Sequence, residues 1–152
     1  MGLSESLHPI RRILVAVDGS EPAAHALRWA VAMARGMGAE VVAVYAIPPF
    51  PDLSLGFAGP WVPPQADPEW RAAMRKTFES DWCAPLRESG LPHRMVLEDG
   101  RPATVISDLA ESEDADVVVL GRRGVGGVRE LLLGSVSHEV GQRCRRPVLL
   151  IS

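Results

Sequence analysis

An α/β fold, with a five-stranded parallel sheet and helices on both faces, is the architecture this sequence predicts. Three observations carry that expectation. Short apolar runs recur at residues 13–17, 41–47, 116–120 and 147–151, as strands buried on both faces require. Between the runs lie segments whose apolar residues return at helical spacing, and parallel neighbours need such right-handed crossovers. A glycine-rich stretch follows the fourth strand, at the sheet end where folds of this kind bind ligands.

The first run, 13–17, ends in Asp18, Gly19 and Ser20, a tight turn. Ser20 suits a helix N-cap with Glu21 and Pro22 in the first turn; Ala23, Leu27, Ala30, Ala34 and Met37 then recur at helical spacing up to Gly38, a stop. The second run, 41–47, is β-branched and halts at Pro48 and Pro49. Residues 48–68 hold seven of the thirteen prolines, with Phe50, Phe57 and Trp61, and read as a long irregular connection. A variable surface loop is the plainest reading; a lid, an interaction loop or a disordered insert are the alternatives.

Asp67 and Pro68 open a helix in which Trp70, Met74, Phe78, Trp82 and Leu86 repeat every four residues until Gly90. Such a stripe is a core face far more often than a cofactor box. Pro85 is expected to kink or loosen the last turn. Residues 93–97 make the third strand, and Gly100, Arg101 and Pro102 open a helix with Val105, Ile106, Leu109 and Ala110 inward. After the strand at 116–120 and the glycine-rich stretch, a short helix carries Val136, Val140 and Cys144 on one side, before the last strand at 147–151.

The chain of 152 residues fits one domain, 1–152, with its core in 11–151. Its 47% apolar and 23% charged residues are those of a globular protein. The net charge of −3 and the scattered arginines lack the basic footprint of a nucleic-acid binder. Cys83 and Cys144 form no CxxC and no zinc pattern, so a reducing cytoplasm suits them. No stretch approaches the ~20 apolar residues of a membrane span, so no membrane partner is expected.

Glycines let a backbone approach a ligand with no Cβ in the way and turn its N–H groups toward phosphate oxygens. Gly134 and Ser135 precede a helix, whose first N–H groups favour an anion, and the hydroxyls of Ser135 and Ser137 can donate further hydrogen bonds. The P-loop signature is absent. Gly124 and Gly126 lack the third glycine of the dinucleotide fingerprint, because Arg129 stands there.

The pattern that is present, Gly121, two residues, Gly124, nine residues, Gly134 and Ser135, resembles the nucleotide-binding motif of the universal stress protein family. The resemblance extends through residues 12–20, 116–121 and 146–151. It implies a Rossmann-like sheet of the adenine nucleotide alpha hydrolase kind, strand order 3-2-1-4-5. It further implies bound ATP, with Mg2+ accompanying it, and a homodimer formed through the C-terminal strand. Asp18 would lie near ribose and adenine, Ala16 would line the base pocket, and Ala46 and Leu120 would complete its walls. Gly121, Gly124, Gly134, Ser135, Val136 and Ser137 would wrap the ribose and phosphates.

Two positions depart from the family's pattern. Ala16 stands where members often carry proline, and Arg122 replaces a small polar residue, pointing to solvent or else neutralising phosphate charge. Asp18 also suits a tight turn or cap. His25, His93 and His138 show no catalytic arrangement, and no nucleophile elbow is present, so no catalytic residue is expected. The expected function is therefore an ATP-binding stress-response or signalling module. The competing readings are a slow ATP-hydrolysing or adenylating enzyme on the same fold, and an adaptor dimer that binds no nucleotide.

Overall fold

A computed structural model describes residues 8–49, 67–123 and 133–152. Most of the proline-rich connection expected at 48–68, and Gly124 of the motif, lie outside these residues. Five parallel strands form one sheet: β1 (Arg12–Ala16), β2 (Glu40–Ile47), β3 (His93–Asp99), β4 (Val117–Gly121) and β5 (Val148–Ile151), in the order β3-β2-β1-β4-β5. The chain builds outward from β1 to β3, then crosses to the other side of β1 to lay down β4 and β5. The C-terminal ends of β1 and β4 therefore flank the switch point, where the connections leave in opposite directions and open a crevice.

Helix α1 (Glu21–Met37) begins and ends where its caps dictate. The Ser20 hydroxyl accepts from the Ala23 N–H at 3.3 Å, Pro22 sits in the first turn, and Gly38 closes the helix at φ 67°. Ala23, Leu27, Ala30 and Ala34 are buried as their spacing requires. Met37 falls on the same stripe but is 51% exposed. Periodicity gave its face correctly without revealing that the core stops one turn earlier.

The four-residue stripe from Trp70 to Leu86 poses a geometric problem. At 3.6 residues per turn each step of four overshoots by about 40°, so four steps would carry the stripe almost to the opposite face. The structure removes the overshoot. Helix α2 (Pro68–Lys76) widens into a π-helical segment (Thr77–Trp82), and α3 (Ala84–Arg87) follows. The Cys83 N–H bonds the Phe78 carbonyl at 3.0 Å, the five-residue step that turns the helix back. Phe78 and Leu86 are thus fully buried, with Trp70 and Trp82 packed on the same core. The expected kink at Pro85 is present as a break at Cys83, two residues earlier, and Pro85 itself occupies the first turn of α3, where its missing N–H costs nothing.

Helices α4 (Pro102–Ser112) and α5 (Ser135–Arg143) cover the other face. Two apolar layers result. Ile13, Val15 and Val17 meet α1, Phe78 and Leu86 on one side of the sheet. Leu14, Val42, Val44 and Leu120 meet Ile106, Leu109 and Val140 on the other.

At the N-terminal end of the sheet Glu40 is gripped by Arg12 at 2.9 Å and by Arg94 at 3.1 Å, and Arg94 also pairs with Glu113. Burial pushes the Glu40 carboxyl up, but the hydrogen bonds from Arg12 and Arg94 outweigh it and hold the group below its usual value of 4.5. A depressed folded value contributes stability that is present above the unfolded value and lost as pH falls through the folded one. Glu40→Gln is expected to cost about 1 kcal/mol at pH 7. In urea titrations the gap between variant and wild type should close below about pH 4; a gap that persists at pH 3 would contradict the assignment.

Candidate functional site

The crevice at the switch point is a cavity of about 460 Å³. Each end of the inner strands supplies one wall. Ala16 and Asp18 come from the exit of β1, Ala46 from β2, and Leu120 and Gly121 from β4. Side chains alternate along a strand, so Ala16, Ala46 and Leu120 share the face covered by α4 and α5, together with Ile106 and Val136. The small side chains of Ala16 and Ala46 leave room for a flat apolar group between them and these larger residues.

Asp18 is both a turn residue and a cavity wall. Its Oδ1 accepts from the Ser20 N–H at 2.9 Å and from the Ser20 hydroxyl, which fixes the carboxylate where β1 gives way to α1. Ser20 in turn caps α1, so the site's acid and the helix start are one hydrogen-bonded unit.

Gly121 is required for packing. A Cβ there would stand 2.7 Å from the Pro22 carbonyl carbon and 2.9 Å from the Ala23 nitrogen, both backbone atoms in the first turn of α1. Gly134 lies at the N-cap of α5 with φ −69° and ψ 156°, a conformation open to any residue. Its N–H bonds the Arg122 carbonyl at 2.8 Å, and no side chain caps the helix. An α-helix leaves its first N–H groups without intrahelical partners. The α5 N-terminus, with the exposed Ser135, thus presents its positive end to the cavity. Ser137 is 3% exposed and donates its hydroxyl proton to the Gly121 carbonyl at 2.8 Å, tying α5 to β4.

Nine of the ten residues singled out from the sequence thus line one cavity: Ala16, Asp18, Ala46, Leu120, Gly121, Gly134, Ser135, Val136 and Ser137. Gly124 lies outside the described residues. The structure adds Val17, Val44, Tyr45, Pro48, Pro102, Ile106 and Arg123. Val44 follows from β-alternation with Ala46, whereas Ile106 depends on which helix covers this face, a long-range fact. Arg122 is not on the cavity wall; its guanidinium donates to the Ser152 hydroxyl at 3.2 Å, and the neighbouring Arg123 lines the cavity instead. Asp18 and Arg123 are the charged side chains of the wall among the described residues.

The chain matches the model of the universal stress protein family over residues 9–152. It belongs to that family. A universal stress protein of Thermus aquaticus is 35% identical over 145 residues, spanning 93% of this chain and 98% of the relative. One from Bacillus subtilis is 31% identical, spanning 92% and 97%. Among solved structures, the universal stress protein of Archaeoglobus fulgidus in complex with dAMP superposes with a TM-score of 0.68 at 26% identity, covering 95% of this chain and 100% of that one. The Rossmann-like sheet of the family, order 3-2-1-4-5, is the one described above.

Other reactive groups are accounted for structurally. Burial, with a contribution from Glu79, pushes the Cys83 thiol up to about 12, so it is no nucleophile at neutral pH. His25 Nδ1 lies 2.7 Å from a Ser152 oxygen and His93 Nδ1 2.8 Å from the Leu91 carbonyl. Among the described residues no three metal-ligating side chains come together, and no helix is long and apolar enough to cross a membrane.

Proposed function

We propose that the cavity binds an adenine nucleotide, ATP with Mg2+, and that the protein is a nucleotide-responsive stress or signalling module. One observation carries this reading: apolar side chains from three strand ends and the N-terminus of a helix line one cavity at the switch point. A purine fits between Ala16, Ala46, Leu120 and Ile106, where apolar walls reward a flat ring. The Asp18 carboxylate accepts from ribose hydroxyls. Phosphates reach the N–H groups at the start of α5, with the Arg123 guanidinium nearby to offset their charge. The dAMP complex of the Archaeoglobus fulgidus relative supports the adenine nucleotide class.

The residues fit a triphosphate better than a protein-held cation. Asp18 is the carboxylate of the wall among the described residues, so Mg2+ would be held by phosphate oxygens and water. The same wall favours binding over rapid turnover. The chain's lysine, Lys76, lies on α2 on the far face of the sheet, and no paired acids line the cavity among the described residues. A bound nucleotide would then act by favouring one conformation or complex over another. Freshly purified protein, denatured and analysed by ion-pair chromatography, is expected to release adenine nucleotide; release of guanine or pyrimidine nucleotides alone would overturn the base assignment.

We also propose a homodimer through the edge strand β5, which pairs with β4 alone among the described residues. Ile151 is 6% exposed and belongs to the core, so Leu149, half-buried on the same strand, is the better probe. Leu149→Asp should give monomers in light scattering, and an unchanged dimer mass would exclude this edge.

A further inference from the structure

We propose that Trp82 is a positioning residue of the nucleotide site. It holds the Asp18-Gly19-Ser20 turn from the face of the sheet opposite the cavity, and so sets nucleotide affinity without touching the ligand. The proposal rests on the adenine nucleotide reading above.

The geometry begins at Gly19, between the site's acid and the serine that holds it. Gly19 has φ +81°, and a Cβ there would fall 2.5 Å from Cζ2 and 2.6 Å from Cε2 of Trp82. The indole therefore lies directly against the turn's backbone. Trp82 also meets Tyr45 edge-on, with ring centroids 5.0 Å apart at 83°, and Tyr45 lines the cavity beside Ala46. One ring thus backs two walls of the site, at the exits of β1 and β2.

Trp82 itself packs in the layer of α1 and Phe78, whereas Ala16, Ala46 and Leu120 belong to the opposite layer. The sheet stands between the indole and the cavity, so its effect passes through the groups it touches, the Gly19 turn first and Tyr45 beside it. The π-helical segment makes the contact possible. Three uncorrected four-residue steps would rotate Trp82 by about 120° from the face of Trp70. The π-helical segment that ends at Trp82 returns it to the core face beneath Gly19.

Without the indole, Gly19 keeps its conformational freedom but loses the surface that limits it. The Asp18 carboxylate accepts from the Ser20 N–H and hydroxyl, both carried by the same turn. A looser turn therefore misplaces the carboxylate, and a ligand-contacting group left about 1 Å loose loses its function.

The test measures ATP affinity by calorimetry and stability by urea in wild type, Trp82→Ala, Trp82→Phe and the same replacements in an Asp18→Ala background. Trp82→Ala, titrated where urea curves show it folded, is expected to bind ATP at least about tenfold more weakly. Trp82→Phe, whose ring still rests on Gly19, should stay within about threefold. In the Asp18→Ala background, removing the indole should change affinity by less than about twofold, because the group it positions is gone. If Trp82→Ala does not fold, Trp82→Leu carries the same comparison. Wild-type affinity in the folded variant, or an equal loss with and without Asp18, overturns the proposal while leaving the nucleotide reading intact. A wild-type protein that binds no nucleotide overturns both.

Discussion

Gly121→Val is expected to destabilise the fold by about 3 kcal/mol or more, because the space its side chain needs is already filled by backbone. The first new carbon would meet Pro22 at 2.7 and 2.8 Å and Ala23 at 2.9 Å. None of these atoms can rotate aside as a side chain can. Relief requires the first turn of α1 to move, yet that turn is anchored by the Ser20 cap and by Asp18. Valine adds two branches at the crowded atom and is stiff about its first torsion. Urea unfolding should show a lower midpoint with an unchanged slope. Gly36→Ala is the control: nothing lies within 4 Å of the added carbon, and an exposed helical glycine replaced by alanine should gain about 0.5 to 1 kcal/mol. A Gly121→Val protein as stable as wild type would show that α1 does not press on β4 as described.

Ala16→Phe is expected to weaken ATP binding by about 100-fold or more while leaving the protein folded, since a ring would fill the space assigned to the base. Ala16 ends β1 on the same face as Ala46 and Leu120, and all three line the cavity. The cavity of about 460 Å³ accepts the added side chain without displacing the buried core, so the melting temperature should change little. Calorimetric titration of the folded variant checks this, and wild-type affinity would mean that the base binds elsewhere.

The fold was legible because four of the five strands are short apolar runs and α1 and α2 carry their own side-chain caps. Ser20, Gly38 and Asp67 stand where the helix ends are found. The motif glycines pointed to the site, but the structure gives Gly121 a reason the motif does not: contact with Pro22, a hundred residues earlier in the chain. Such long-range contacts were not legible. The same holds for Ile106 and Arg123, which reach the cavity through the placement of α4 and the direction of the chain after β4. The stripe from Trp70 to Leu86 announced a core face, yet its exact period of four already conflicted with a regular helix. That conflict is the sequence trace of the π-helical segment and of Trp82's place beneath Gly19.

Titration of nucleotide-stripped protein with ATP, with GTP as competitor for the base pocket, tests the central claim most directly. One saturable site for ATP in the micromolar to low-millimolar range, with weaker binding of GTP, is the expected result. No heat of binding with any adenine nucleotide at millimolar concentration would contradict it.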